Sequence, residues 1–247
     1  MIGVRSASMT LAATVATAAM VACSPAPPPP PREFPDVAVA TATPGSIIAV
    51  DPALGDEAAF ERHVREITYR IRKLGCGEIG VGSAVAVGPR LLATNRHVIE
   101  RARTLEIAAW DGSAIMVTTS ETVKDQDLGL VRVNQDLPAI AESAPDPLPG
   151  EDVYAVGYPG GGQFQRTAGK VVDYVDGTVF EENSRIMRVT VPLRHGNSGG
   201  ALLNRDGDLV GVVFALERAT GYGLVIPASA LQSTIASARF QASSGAC

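Results

Sequence analysis

The chain has 247 residues, which is enough for a sizeable hydrophobic core divided between two lobes. It carries 21 basic and 26 acidic side chains, and this acidic balance argues against nucleic-acid binding, which requires a basic face. Gly and Pro are frequent, aromatic residues are few, and the apolar residues are mainly Val, Ala, Leu and Ile. This composition favours many short strands joined by tight turns.

The first 22 residues have the pattern of a secretory signal peptide. One early cation, Arg5, precedes a run of apolar and small residues that ends at Ala22. The alternative, a retained membrane-spanning helix, is disfavoured because the run is short and rich in Ala and Thr. Residues 1–22 therefore predict export to the cell envelope, to the periplasm or out of the cell.

Residues 20–23 resemble the cleavage box of bacterial lipoproteins, in which the cysteine carries the lipid. This resemblance predicts lipidation of Cys23 and a lipid anchor in the membrane. The alternative is ordinary cleavage, which leaves Cys23 unmodified. In both cases the proline-rich residues 23–50 predict a flexible linker that holds a domain away from a surface.

Residues 51–75 predict an amphipathic N-terminal helix, because apolar side chains recur at spacings of four and three. These apolar side chains belong to Phe60, Val64, Ile67, Ile71 and Leu74. Cations follow in the last turn, and Gly75 is suited to end the helix. His63 lies off the apolar stripe, and we interpret it as a surface residue.

From residue 80 the pattern changes to short apolar strands separated by turn residues, which is typical of an antiparallel barrel or sandwich. Residues 138–150, rich in Pro, Ala and acidic residues, predict a connector between two halves. The predicted strands are 83–87, 91–94, 105–110, 128–133, 153–157, 169–175, 186–191, 209–214 and 223–226.

Ser198 lies in a glycine-rich turn, residues 196–200, directly before an apolar strand. A serine hydroxyl is a weak nucleophile near neutral pH, so it requires a base beside it and donors for the oxyanion that it generates. The glycines of this turn allow backbone N–H groups to point where a side chain would block them. The turn is therefore a candidate site for nucleophilic catalysis.

A histidine and a carboxylate lie at the ends of two other apolar strands. His97 follows the first of these strands, Asp127 precedes the second, and Asp125 is a rival carboxylate nearby. Each of these residues alone is more often structural than catalytic, but the order His97, Asp127, Ser198 changes that balance. His195 is too close to Ser198 in sequence to act as its base.

Residues 94–98, 127–130 and 196–200 resemble the three signatures of trypsin-fold serine proteases, and the closest likeness is to the HtrA-like branch. The resemblance implies an all-β domain over residues 76–247, built from two antiparallel six-stranded β-barrels with the catalytic groups between them. The lobes would cover about 76–137 and 150–240. It also implies protein or peptide substrates, with no cofactor and no metal.

The resemblance assigns a role to each candidate residue. Ser198 would be the nucleophile, His97 its base, and Asp127 the group that fixes the histidine tautomer. Asp127 is favoured over Asp125 because the sequence Asp-Leu-Gly-Leu matches the family pattern. Backbone groups of Gly196, Asn197 and Ser198 would form the oxyanion hole.

The resemblance places Pro192 at the base of the specificity pocket, His195 at its rim and Phe214, Ala215 and Leu216 on a wall. No acid stands at the base, so cleavage after Lys or Arg is disfavoured and the expected preference is a small or medium apolar residue. Arg194 and His195 leave an acidic preference open.

Among HtrA-like proteins the chain resembles mycobacterial-type envelope proteases that lack a PDZ domain. That subgroup pairs a cysteine before the first barrel with one after the last strand, so the resemblance implies a disulfide between Cys76 and Cys247. The leading hypothesis is an active envelope serine endopeptidase. Its rivals are a catalytically silent member that binds peptides and an esterase on the same fold. The sequence predicts no oligomeric state.

Overall fold

The structure of the protein is a computed structural model. It describes residues 53–75, 77–180, 182–237 and 240–243. The predicted signal peptide and linker lie outside these ranges, as do the three cysteines. Lipidation of Cys23 and the Cys76–Cys247 disulfide therefore stay predictions.

The described residues form a mostly β structure with two longer helices, one short helix and two single 3-10 turns, Pro159–Gly161 and Gly177–Phe180. Every strand predicted from the sequence is present, all but one of them with shifted ends, which confirms the all-β class. Among the described residues, no helix combines the length and apolarity needed to cross a membrane. The elements are α1 Ala53–Glu66, β1 Thr68–Gly75, β2 Glu78–Gly88, β3 Leu91–Thr94, α2 Arg96–Ile99, β4 Thr104–Ala108, β5 Ala114–Ile115, β6 Val117–Thr122, β7 Gly129–Val133, β8 Asp152–Gly157, β9 Gln165–Asp176, β10 Arg185–Val189, β11 Ala201–Leu203, β12 Leu209–Leu216, β13 Gly223–Pro227, α3 Ala228–Ala236 and β14 Gln241–Ala242.

The second half of the chain closes into a six-stranded antiparallel barrel in the order β10-β13-β12-β11-β8-β9. Its interior is filled by fully buried aliphatic side chains such as Val153, Met187 and Leu202. These side chains come from different strands of the barrel, so closure buries them all in one place. This barrel is one of the two six-stranded barrels that the family resemblance implies.

The first lobe is a sheet, where the family resemblance implies a closed six-stranded barrel. Its strands form a sheet in the order β14-β6-β7-β3-β2-β1-β4-β5, and no ladder within the described residues joins β5 to β6. The two strands are separated only by Met116, which is exposed, and β5 is two residues long. The ladder stops there, so the first lobe is an eight-stranded sheet among the described residues.

The predicted helix over 51–75 is correct only in its first part. Helix α1 ends at Glu66, and Thr68–Gly75 form β1, which pairs with both β2 and β4. Tyr69 and Ile71 are fully buried, while Arg72 on the opposite face of β1 is exposed. Burial here therefore has the period of a strand. Pairing on both edges outweighs the helical spacing of the apolar residues.

Helix α1 packs on the barrel around Arg166 of β9. The Phe60 ring meets the Tyr154 ring edge-on at 5.8 Å, and the Arg166 guanidinium lies 5.0 Å from the Phe60 centroid. Arg166 also pairs with Glu57 and, at 3.0 Å, with Glu61. The helix is thus fixed to the barrel by both aromatic and charged contacts.

Candidate active site

His97 lies on the short helix α2, directly after β3. Val98 and Ile99 are buried and anchor this helix in the core. Lys73 of β1 donates from Nζ to the His97 carbonyl at 2.9 Å and to the Glu100 carbonyl at 3.2 Å. A cation on the last carbonyls stabilises the end of a helix, so α2 is held although it has only one turn.

His97 and Asp127 form a two-point pair. Nδ1 of His97 lies 2.5 Å from Oδ2 of Asp127, and the His97 backbone N–H donates to Oδ1 at 2.9 Å. The Asp127 side chain is 12% exposed and that of His97 is 44% exposed. The pair thus fixes the ring with Nδ1 toward the carboxylate, which leaves Nε2 available on the other side of the ring.

The backbone of Asp127 is held as firmly as its side chain. Its carbonyl accepts from Asn95 Nδ2 at 2.9 Å, and its N–H donates to Oε1 of Glu182 at 2.7 Å. Asn95 directly precedes α2, so one short segment contacts both the carbonyl and the carboxylate of Asp127. The rival Asp125 is exposed, and its side chain has no hydrogen bond within the described part of the chain. The structure therefore brings His97 to Asp127 and not to Asp125.

The glycine-rich turn before Ser198 has the form of a type II β-turn. The Asn197 N–H donates to the Arg194 carbonyl at 3.0 Å, and Gly196 at the third position has φ +96°. A Cβ at Gly196 would lie 2.6 Å from both Gly160 N and Tyr158 O, so only glycine fits. The Asn197 side chain tightens the turn by accepting the Arg194 N–H at 3.1 Å.

This turn leaves two backbone donors next to the serine hydroxyl. The N–H groups of Gly196 and Ser198 have no acceptor among the described residues, whereas the Asn197 N–H is used within the turn. The His195 carbonyl accepts the Gly160 N–H at 2.7 Å, which fixes the His195–Gly196 peptide. Of the three residues expected to form an oxyanion hole, only Gly196 and Ser198 thus offer free N–H groups, because the turn consumes the third.

The turn that carries Ser198 lies against the first lobe close to α2. Ser83 N–H donates to the Ser198 carbonyl at 2.8 Å. A Cβ on Gly82 would lie 2.6 Å from the Val98 side chain and 3.2 Å from the Ser198 carbonyl. The Ser198 carbonyl and the side chain of Val98, which directly follows His97, therefore both lie close to Gly82.

The Ser198 hydroxyl itself donates to the Phe214 carbonyl at 3.3 Å. Among the described residues it has no hydrogen bond to His97. The structure thus brings the three candidate side chains into one region but joins only two of them directly. Rotation about the Ser198 Cα–Cβ bond is the change that would redirect the hydroxyl.

Sequence reasoning missed Ser83, which connects the two lobes. Ser83 is fully buried, and its hydroxyl donates to the Gly196 carbonyl at 2.8 Å while accepting the Tyr158 N–H at 2.9 Å. Its carbonyl accepts the Thr94 hydroxyl at 2.7 Å. No local signal marks this serine, since Gly196 is 113 residues away in sequence.

A cavity of about 300 Å³ opens beside Ser198. Of the residues expected in the specificity pocket, His195, Ala215 and Leu216 line it, whereas Pro192 and Phe214 do not. Pro192 is exposed, and Phe214 is buried in the core cluster that includes Val98. The remaining lining residues are Leu193, Arg194, Asn197, Val213 and Arg218.

Known proteins with similar sequences are serine proteases. The chain is 30% identical over 169 residues to the serine protease Do-like HtrA of Bacillus subtilis, covering 62% of this chain and 38% of that protein. It is 28% identical over 219 residues to the serine protease Rv3671c of Mycobacterium tuberculosis, covering 81% of this chain and 53% of that protein. The chain thus spans about half or less of the length of these relatives.

Solved structures agree in fold. The crystal structure of the active form of the Rv3671c protease from M. tuberculosis superposes with a TM-score of 0.66 at 23% sequence identity. The match covers 84% of this chain and 97% of that one. At this identity the likeness establishes the fold and no more.

A family model of the trypsin-like peptidase domain matches residues 82–212, a range that includes His97, Asp127 and Ser198. This range is more than half of the chain. The protein therefore belongs to the trypsin-like peptidase family, with relatives of the HtrA type.

Proposed function

We propose that this protein is a serine endopeptidase that cleaves protein or peptide substrates through an acyl-enzyme. In this proposal Ser198 is the nucleophile, His97 accepts its proton and returns it to the leaving amine, and Asp127 orients the imidazole. The N–H groups of Gly196 and Ser198 stabilise the oxyanion.

The observation that carries the proposal is the two-point pairing of His97 with Asp127 beside a turn with two N–H groups that have no acceptor in the described part of the chain. A carboxylate on Nδ1 favours the tautomer in which Nε2 is the acceptor, and it stabilises the imidazolium that forms on proton transfer. Donors held by a rigid turn need no rearrangement when charge develops, and one such donor is worth roughly 3 kcal/mol of transition-state stabilisation.

The hydroxyl must leave the Phe214 carbonyl before it can react. We propose that this occurs when substrate binds, because the 3.3 Å hydrogen bond to Phe214 is long for an O–H donor and is the single one that the hydroxyl donates. Rotation about one side-chain bond then directs the hydroxyl toward Nε2 of His97. Catalytic hydrogen bonds commonly tighten only in the substrate complex.

For specificity we propose a small or medium apolar residue at the cleavage position. The cavity beside Ser198 has apolar walls from Leu193, Val213 and Ala215, and none of the described residues that line it is an acid that would attract Lys or Arg. Its volume of about 300 Å³ suits one side chain. Arg194 and Arg218 lie at its edge, so an acidic residue is the second preference to examine.

A second candidate function is peptide binding without catalysis. The orientation of the Ser198 hydroxyl toward Phe214 favours it, because a serine fixed in that direction cannot transfer its proton to His97. Incubation with a peptide library, with cleavage sites read by mass spectrometry, separates the two. An endopeptidase cleaves, and Ser198→Ala abolishes the cleavage; a binding protein retains peptides without cutting them.

We also propose that the protein acts in the bacterial cell envelope after export. The signal pattern in residues 1–22 supports export, and the lipoprotein-like residues 20–23 support a lipid anchor on Cys23. An exported location permits the disulfide between Cys76 and Cys247. In this arrangement residues 23–50 link the anchor to the folded domain.

A further inference from the structure

Glu182 is a buried carboxyl group that the proposed mechanism does not use. It lies in the barrel lobe, between the 3-10 turn Gly177–Phe180 and β10, and is 3% exposed. Its Oε1 accepts the Asp127 N–H at 2.7 Å, while its Oε2 is buried with no hydrogen-bond partner among the described residues. A buried carboxyl with one unpaired oxygen is costly, so its position requires an explanation.

The four polar atoms of Asp127 show what Glu182 contributes. Both carboxylate oxygens contact His97, and the carbonyl contacts Asn95. These partners all belong to the first lobe. The fourth polar atom, the backbone N–H, donates to Glu182 of the barrel. Glu182 therefore connects the lobe that carries Ser198 to the backbone of Asp127.

The loop that carries Glu182 is built around close backbone contacts. The Glu182 N–H donates to the Gly177 carbonyl at 2.9 Å, and the Asn183 N–H donates to the Asp125 carbonyl at 3.3 Å. A Cβ on Gly177 would lie 1.9 Å from the Ser184 carbonyl oxygen, so a glycine is required there. The loop therefore contacts the 125–127 turn at two adjacent points.

The charges around Glu182 affect its ionisation. Burial is the main cause that raises its pKa to about 7, and the nearby Asp127 carboxylate adds to this effect. The Asp127 N–H and the Arg96 guanidinium act in the opposite direction, as both favour the anion. Asp127 and Arg96 are the charged side chains that face it from the first lobe.

We propose that Glu182 is a positioning residue, which holds the Asp127 backbone from the barrel side so that both carboxylate oxygens face His97. Through this contact the barrel controls the geometry of the His97–Asp127 pair in the other lobe. As an anion Glu182 also adds negative charge near the imidazolium. The inference deepens the proposed function and relies on it for its kinetic test.

The kinetic test compares Glu182→Ala, Glu182→Gln and the wild type over a range of pH. Glu182→Ala leaves the Asp127 N–H buried without an acceptor, so we expect kcat/KM to fall by about 10- to 100-fold with little change in KM. Glu182→Gln keeps an acceptor oxygen and rescues most of this loss. It cannot ionise, so its pH profile lacks the change that the wild type shows around pH 7 as Glu182 becomes an anion. The control Asp125→Asn removes an exposed carboxylate of the same turn and changes neither quantity.

Two kinetic results would overturn the proposal. One is a Glu182→Ala enzyme with the activity of the wild type. The other is a Glu182→Gln enzyme whose pH profile superposes on that of the wild type and whose loss of activity equals that of Glu182→Ala. A merely structural role predicts the second result, because loss of packing alone leaves the shape of the pH profile unchanged.

A readout without catalysis separates this proposal from the proposed function. The NMR resonance of the proton between His97 Nδ1 and Asp127 reports the pair directly, whether or not the protein cleaves peptides. We expect it to shift and to exchange faster with water in Glu182→Ala than in the wild type and in Asp125→Asn. An unchanged resonance in folded Glu182→Ala would refute the positioning role, while an inactive wild type with the expected shift would refute only the proposed function.

Discussion

At the residue scale, Asp127 has a defined partner on each of its polar atoms. Two of these contacts orient His97, and the other two hold the backbone from Asn95 and Glu182. A carboxylate fixed in this way cannot rotate toward another donor without losing both of its hydrogen bonds to His97. This fixed geometry is the physical reason to assign Asp127, and not Asp125, to the His97 pair.

The two aspartates give a matched pair of variants. We expect Asp127→Asn to lower kcat by about 10⁴-fold, because the amide stabilises the wrong histidine tautomer and no longer stabilises the imidazolium. Asp125→Asn should retain activity, since its side chain is exposed and makes no contact with His97. The measurement is the rate of peptide hydrolysis by the two folded variants. Equal losses in both would contradict the assignment.

At the element scale, two short segments create the site. Helix α2 is a single turn, held by buried apolar side chains and by Lys73. The serine turn is held by Ser83 from the first lobe and by the Gly160 N–H from the barrel. Both segments depend on contacts from distant parts of the chain, and this dependence allows a one-turn helix and a tight turn to hold fixed geometry.

Gly196 offers a test of the serine turn. Gly196→Ala adds a Cβ at 2.6 Å from two backbone atoms at φ +96°, so we expect the two free N–H groups to lose their alignment and kcat/KM to fall by at least about 100-fold. Gly221→Ala is the control, because Gly221 also has positive φ, +76°, but has open space around it. Hydrolysis rates and circular dichroism of both variants check this. Full activity in folded Gly196→Ala would show that the turn does not position the N–H donors of residues 196 and 198.

The junction between α1 and β1 is a second element to test. Ile67 is fully buried there, and we expect Ile67→Ala to lower the free energy of unfolding by about 2–5 kcal/mol. Ile79, which is 66% exposed, receives the same substitution as a control and should change stability by no more than about 0.5 kcal/mol. Urea unfolding measures both. Equal effects would mean that α1 does not pack as described.

At the scale of the whole molecule, Glu182 makes folding stability depend on pH. Its pKa is raised by burial to about 7, above the ordinary value of 4.5. As pH rises from 4.5 to 7 the unfolded chain releases this proton before the folded chain does. The unfolded state therefore binds fewer protons in this window, and stability falls as pH rises.

Glu182→Gln removes this contribution. Relative to the wild type, the variant should gain on the order of 3 kcal/mol in unfolding free energy between about pH 5 and about pH 8. Denaturant unfolding of both proteins at the two pH values measures the change, and the other carboxylates cancel in the comparison. A difference that is independent of pH would show that the Glu182 carboxyl is not shifted.

The sequence was informative where the signal is local. The strands, the second barrel and the motifs around His97, Asp127 and Ser198 follow from spacing, turn residues and a family pattern. Ser83 and Glu182 escaped prediction because their partners lie 113 and 55 residues away. The apolar residues of β1 continue the helical spacing of α1, and only the pairing with β2 and β4 shows that they form a strand. The first sheet is open because β5 and β6 form no ladder among the described residues, and no local pattern reveals this.

The most direct measurement is active-site labelling with a fluorophosphonate, which reacts with a serine only when a base and oxyanion donors activate it. The folded wild type should gain the mass of one phosphonyl group, located on Ser198 by peptide mapping, and Ser198→Ala should gain none. Folded wild-type protein that stays unlabelled, or that is labelled at another serine, would contradict the proposal that His97, Asp127 and Ser198 act together.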